Sequence, residues 1–183
     1  MTSTGFELFA TAIGRCAIAW SAAGIVGLAL PENDDRMLRA RMQRRHSTAQ
    51  EREAPPDVRR IIADIQRLLA GERRDLSAAV LDMTNVPEFD RRVYVETRAV
   101  SPGQTVTYGD IASRLGDVGL SRAVGQALGR NPIPIIVPCH RVLAAQGRLG
   151  GFSAPGGAST KRRLLEIEGA RALHPILPWG LDR

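Results

Sequence analysis

Apolar residues alternate with small or polar ones near the amino end of the chain, and this period of two predicts three short strands, over residues 6–10, 15–20 and 24–30. Ser21-Ala22-Ala23-Gly24 turns the chain between the last two. In the second strand Cys16, Ile18 and Trp20 share a side against Ala17 and Ala19, which puts Cys16 in a core as a small hydrophobe. The period then changes. Arg36, Arg39, Arg41, Arg44 and Arg45 mark a predicted helix with Met37, Leu38 and Met42 on its inner side. After Pro55-Pro56-Asp57, residues Val58, Ile61, Ile62, Ile65, Leu68 and Leu69 follow helical spacing up to Gly71. Val80 to Met83 is expected to rejoin the sheet as a strand. Residues 1–86 therefore read as an α/β amino-terminal domain, a small sheet with helices, closed by the linker-like Asn85-Val86-Pro87.

Residues 87–183 read as a mostly α carboxy-terminal domain. Phe89, Val93 and Val100 fall at roughly helical intervals, and Ser101-Pro102-Gly103-Gln104 turns the chain. Thr107 is placed to cap a short helix over 108–115 and Ser121 a second over 122–129, a helix-turn-helix pattern. The second helix is built from small residues. Its two glycines cost about 2 kcal/mol relative to alanine, so either something approaches its backbone closely or it packs tightly on a neighbouring helix. Next, prolines fix φ and withhold donors through the apolar run 131–142, which is predicted to be extended and buried. That run delivers Cys139 and His140 side by side. Neighbours on an extended backbone face opposite ways, so a direct bond between them needs a sharp turn and a bridging water is the expected relay. A last helix is predicted over 160–168, ended by Gly169.

Charge adds a partner class. Net charge is +6, carried almost entirely by arginine, with Lys161 the sole lysine. Guanidinium groups neutralise phosphates and release counterions, so a polyanion suits this balance; a merely solvated basic surface suits it too. Cys16 and Cys139 stand far apart in unlike contexts, which argues against a disulfide, and no Cys/His spacing suggests a metal site. A reducing cytoplasm is expected. The apolar stretch 17–30 is too short to span a bilayer, and Glu7 stands where an export signal would carry positive charge, so no membrane partner is expected.

Asn131-Pro132-Ile133-Pro134, then Pro138-Cys139-His140-Arg141-Val142, with Ser121-Arg122-Ala123-Val124-Gly125 upstream, resembles the O6-alkylguanine-DNA alkyltransferases, the methylated-DNA–protein-cysteine methyltransferases, over about 89–169. The resemblance implies direct repair: Cys139 takes the alkyl group from O6-alkylguanine in double-stranded DNA, with O4-alkylthymine a minor substrate. The transfer consumes the protein, which acts as a monomer without cofactor or metal. It implies that Glu166 orients His140, that His140 acts on Cys139 through water, and that Asn131 braces the turn before the active-site segment. It implies that Tyr108, backbone groups at Cys139 and Val142, Pro134 and Ser153 hold the flipped base. Arg122, Ala123, Gly125 and Gln126 would lie along the minor groove, with Arg122 filling the vacated stack.

Each residue also has a plainer reading. Glu166 suits an ion pair with Arg162 or Arg163, Arg122 a surface position, Tyr108 core packing, and Asn131 and Pro134 an ordinary X-Pro turn. Two departures from the family pattern, Phe152 in place of tyrosine and a longer loop over 153–160, fall on the rim of the pocket. A non-enzymatic lesion sensor and a Cys/His acyl hydrolase are the competing classes. The first requires the cysteine to be replaced, the second a direct thiol–imidazole contact and an oxyanion hole. No function is assigned to the tail 170–183.

Overall fold

The computed structural model describes residues 4–170, so most of the tail lies outside the described residues. The alternating segments form β1 (Gly5–Thr11), β2 (Gly14–Ser21) and β3 (Gly24–Ala29), an antiparallel meander. Both faces of β2 are buried. Cys16, Ile18 and Trp20 pack towards α2 (Pro56–Leu69), while Ala17 and Ala19, with Phe6 and Leu8, pack under Leu38 and Met42 of α1 (Asp35–Arg45). Asp34 caps α1 by accepting from Met37 N at 2.7 Å. Met37, expected inward, is 43% exposed, because only Leu38 and Met42, one turn apart, face the sheet.

The fourth strand is not the expected one. β4 (Gln50–Glu51) pairs parallel with β1 and gives the order β3-β2-β1-β4, whereas Val80 to Met83 contributes a single bridge, Leu81 to Ile25. The backbone there exchanges two hydrogen bonds with Ile25 and then leaves the sheet, held by Asp82, which accepts from Ser21 and Thr84.

α3 (Glu88–Arg98) buries Val93 and Tyr94 under α5 (Ser121–Gly129), with Tyr94 Oη donating to Ala127 O at 3.0 Å. Buried Asp90 takes both arms of Arg130 at 2.9–3.0 Å and so ties the start of α3 to the end of α5. Ahead of α5, β5 (Val106–Thr107) runs directly into α4 (Tyr108–Arg114) through a reciprocal capping box between Thr107 and Asp110. Ser121, expected as a cap, is already helical (φ −51°, ψ −40°), because a 3-10 turn over Val118–Leu120 leads straight into the helix. Its hydroxyl donates backward to Val118 O instead.

The proline-rich run is buried, as its composition requires, but it is not extended throughout. Ile135 takes φ 73°, a costly left-handed conformation for a β-branched residue, and Val137 N closes the turn onto Ile133 O at 2.9 Å. Cys139–Arg141 then form a 3-10 turn, followed by β6 (Val142–Leu143), which pairs parallel with β5. That two-residue ladder sets Tyr108, just after β5, near Cys139, just before β6. From the other side Leu28 N donates to Pro132 O at 2.9 Å, joining β3 to the same run. α6 (Gly157–Ile167) closes the site from behind, three residues longer at its start than the sequence predicts.

Candidate functional site

A cleft of about 600 Å³ opens between the first turn of α4, the exposed face of α5 and the loop before α6. Tyr108, Ser121, Arg122, Gly125, Gln126 and Gly129 line one side, Gly151, Phe152 and Ser153 the other, and Cys139 lies on its wall. The residue is 7% exposed. Burial pushes the Cys139 thiol above its ordinary range; a hydrogen bond from Asn131 and the positive charge of Lys161 work against that rise.

Asn131 sits at the hub of the turn. Its Nδ2 donates to Val137 O at 2.8 Å and lies 3.3 Å from Cys139 Sγ, while its Oδ1 accepts from Ile133 N at 3.0 Å. One amide therefore fixes both the carbonyl ahead of the active-site turn and the sulfur itself.

Behind the sulfur, the partner of His140 is Glu168 rather than Glu166. His140 Nε2 and Glu168 Oε1 are 2.9 Å apart, and the imidazole is fully buried. Glu166 is exposed on α6. Helical period explains the exchange: Lys161, Leu164 and Leu165 form the buried face of α6, and Glu168 continues it at the cap, whereas Glu166 points away. Arg141 grips the same carboxylate through Nε at 2.9 Å and Nη2 at 2.8 Å, and Gly103 N adds a contact at 3.3 Å. Burial opposes the charge of Glu168, but the hydrogen bonds from His140 and Arg141 outweigh it and hold the carboxyl down at about 2. An ionised carboxylate only accepts, so His140 Nε2 carries the proton towards it. Nδ1 is then left with a lone pair. It is buried and meets no hydrogen-bonding partner among the described residues. Burial lowers the basicity of His140, against the raising effect of Glu168, so the resting site pairs a neutral imidazole with a neutral thiol.

The other expected residues divide between the cleft and the layer beneath it. Tyr108, Arg122, Gly125, Gln126 and Ser153 reach the cleft. Ala123 is half-buried on α5 and is not part of the lining. Pro134, expected on the pocket wall, is buried and is not part of the lining, and the backbone carbonyl of Val142, expected to hold the base, already accepts from Lys161 Nζ at 2.7 Å. Burial raises the Tyr108 phenol above its ordinary range and so keeps it protonated as a donor.

Two residues of the site escape sequence reasoning. Glu168 carries a signal in its spacing of seven from Lys161 on the apolar face of α6. Lys161 carries one in being the single lysine of an arginine-rich chain, and its position is fully buried.

The family described as 6-O-methylguanine DNA methyltransferase, DNA binding domain, matches residues 88–170. A methylated-DNA–protein-cysteine methyltransferase of Mycobacterium bovis is 49% identical over 85 residues, 46% of this chain and 50% of that protein. Another, of Methanothermobacter thermautotrophicus, is 36% identical over 115 residues, 63% of each chain. By sequence the chain thus spans about half the length of the first of these curated relatives. In three dimensions the likeness extends further. The crystal structure of Mycobacterium tuberculosis OGT in complex with DNA superposes with a TM-score of 0.73 at 31% identity, covering 92% of this chain and 97% of that one. Likeness of this breadth in sequence and in three dimensions places the chain in the O6-methylguanine-DNA methyltransferase family, the methylated-DNA–protein-cysteine methyltransferases.

Proposed function

We propose that the protein repairs DNA directly, moving the alkyl group of O6-alkylguanine onto Cys139 in a single irreversible turnover. The observation that carries this reading is the sulfur on the wall of a cleft large enough for a base, with a carboxylate-oriented imidazole behind it. α4 and α5 act as a helix-turn-helix laid along the minor groove, within a carboxy-terminal unit, 87–183, that follows an α/β unit, 1–86. Arg122, exposed at the start of α5, enters the stack as the damaged base swings out. Ala123, Gly125 and Gln126 follow the groove. Tyr108 donates to the extruded guanine, and Ser153 closes over it.

Proton and electron flow then balance. A water between His140 Nδ1 and Cys139 Sγ carries the thiol proton to the imidazole, and Glu168 steadies the imidazolium that forms. The thiolate attacks the alkyl carbon in line with the C–O6 bond. The S–C bond forms, the C–O6 pair stays with guanine, and the hydrogen bond from Tyr108 disperses the charge that develops on the base. The base then takes up one proton from solvent, and His140 releases the one it holds, which restores neutral guanine and imidazole. The product thioether has no second cysteine placed to resolve it. O4-alkylthymine enters the same cleft as a minor substrate. The protein works as a cytoplasmic monomer without a cofactor.

Duplex DNA carrying O6-methylguanine is expected to add one methyl mass to the Cys139 peptide, stoichiometrically and once. Cys139→Ala protein that still restored guanine would sink the proposal.

A further inference from the structure

Lys161 is the only lysine in the chain and one of its largest fully buried side chains. Its Nζ donates to Val142 O at 2.7 Å, reaches Gly151 O at 3.4 Å and lies 5.7 Å from the centre of the Tyr108 ring. These contacts join three parts of the site: the strand that leaves Cys139, the rim of the cleft and the phenol at its mouth. Among the described residues no carboxylate stands within ion-pairing distance of it. A buried ammonium normally has an anion beside it, because two carbonyls and a ring face only partly replace its hydration. Here the neighbouring groups able to become anions are the Cys139 thiol and the Tyr108 phenol.

We propose that Lys161 is the counter-charge of the reacting sulfur, a positioning residue whose buried ammonium makes Cys139 easier to ionise while it pins the rim at Gly151 to the strand behind the sulfur. The proposal rests on reading Cys139 as the alkyl acceptor, and it explains why a lysine stands here in a chain otherwise rich in arginine. An ammonium is the more compact cation and presents three donors at one point, so it fills this buried niche between two carbonyls with the least volume, while a guanidinium would carry the same charge. The electrostatics agree: burial brings Lys161 down to about 8, and the coupling between its charge and Cys139 favours the ionised form of each.

The charged and titratable groups around the sulfur come from several elements. Lys161 approaches from α6, Tyr108 from α4, Tyr94 from α3 and His140 from the sulfur's own turn, with Glu168 and Arg141 behind the imidazole. Lys161 also disfavours the imidazolium of His140, so its removal makes the histidine more basic while making the thiol less acidic. The two shifts have opposite signs and can be told apart.

The test uses the full chain without DNA, so that it stands apart from lesion recognition. Iodoacetamide alkylation of Cys139 is followed by peptide mass across pH for the natural protein, Lys161→Met and Lys161→Arg, each checked for folding by its thermal transition. The ionisation midpoint of Cys139 is expected to rise by roughly one pH unit in Lys161→Met, in keeping with loss of a nearby opposite charge, and to return most of the way in Lys161→Arg. Superimposed profiles for the natural protein and Lys161→Met, or an equal rise in Lys161→Arg, would overturn the proposal. A measurement on the unaltered lysine covers the case in which Lys161→Met does not fold. With lysine labelled at 15Nζ, the sole signal is expected to titrate at lower pH in Cys139→Ser than in the natural protein, because serine cannot supply the anion; an unchanged midpoint refutes the coupling. If iodoacetamide behaves as expected but methylated DNA leaves no mass on Cys139, the repair reading fails and this one stands.

Discussion

Glu166 and Glu168 differ by two positions on one helix, and everything that separates them is direction. Glu168 lies against His140 and Arg141 with its side chain 3% exposed, whereas Glu166 is exposed to solvent. Glu168→Gln is therefore expected to slow single-turnover methyl transfer by roughly a hundredfold, the scale at which a positioned acid–base group contributes, while Glu166→Gln stays within about twofold. A large loss in Glu166→Gln with little in Glu168→Gln would return the relay to Glu166. The same carboxylate shapes stability against pH. It is held at about 2 from an ordinary 4.5, so its contribution, on the order of 3 kcal/mol, is complete above 4.5 and is lost as pH falls towards 2. The depressed basicity of His140 acts in the same direction from 6.5 downward. Urea midpoints should show Glu168→Gln weaker at neutral pH but with a shallower acid limb than the natural protein. The sequence made the sulfur and the histidine legible, because two reactive residues after a proline need no register to be noticed. It hid Glu168, because choosing between two glutamates requires the face of α6, and that face is set by Leu164 and Leu165 packing in three dimensions.

At the scale of elements, local chemistry was readable and distant pairing was not. Thr107 caps α4 through a box written in four consecutive residues, and the strands of the meander follow from alternation. Ser121 misled because the 3-10 turn before it already has helical dihedrals, and Gln50–Glu51 became a strand only because β1 lay alongside. The glycines of α5 were the open question, since close packing and close approach by a ligand both explain small residues. The structure favours approach. A Cβ at Gly125 meets nothing nearer than the Tyr108 ring at 3.9 Å, and one at Gly129 meets nothing within 4 Å. Gly125→Ala is thus expected to stabilise the free protein by up to about 1 kcal/mol, as alanine does inside a helix, and to weaken binding to duplex DNA. Thermal shift and fluorescence anisotropy at fixed salt read the two effects. A destabilised Gly125→Ala would mean that packing, not a ligand, selects the glycine.

For the whole molecule, the question is whether the sheet serves the site or merely precedes it in the chain. One core cluster runs from Cys16, Ile18 and Trp20 of β2 through Ile65 and Leu68 of α2 to Val93, Ile111, Val124, Ile133 and Cys139. Leu28 N, which donates to Pro132 O, carries this continuity into the backbone beside the turn that Asn131 braces. Packed interiors transmit strain, so a void opened under β2 is felt where the cluster continues. Ile18 is fully buried, and Ile18→Ala should cost about 3 kcal/mol. Native-state hydrogen exchange can follow that loss along the chain. If the halves open together, the slowest amides of β2 and α3 lose protection by the same amount, and Cys139 sits on a floor that includes the sheet. If protection falls in β2 alone while α3 keeps its own, the halves are separate folding units and the contact through Pro132 couples nothing.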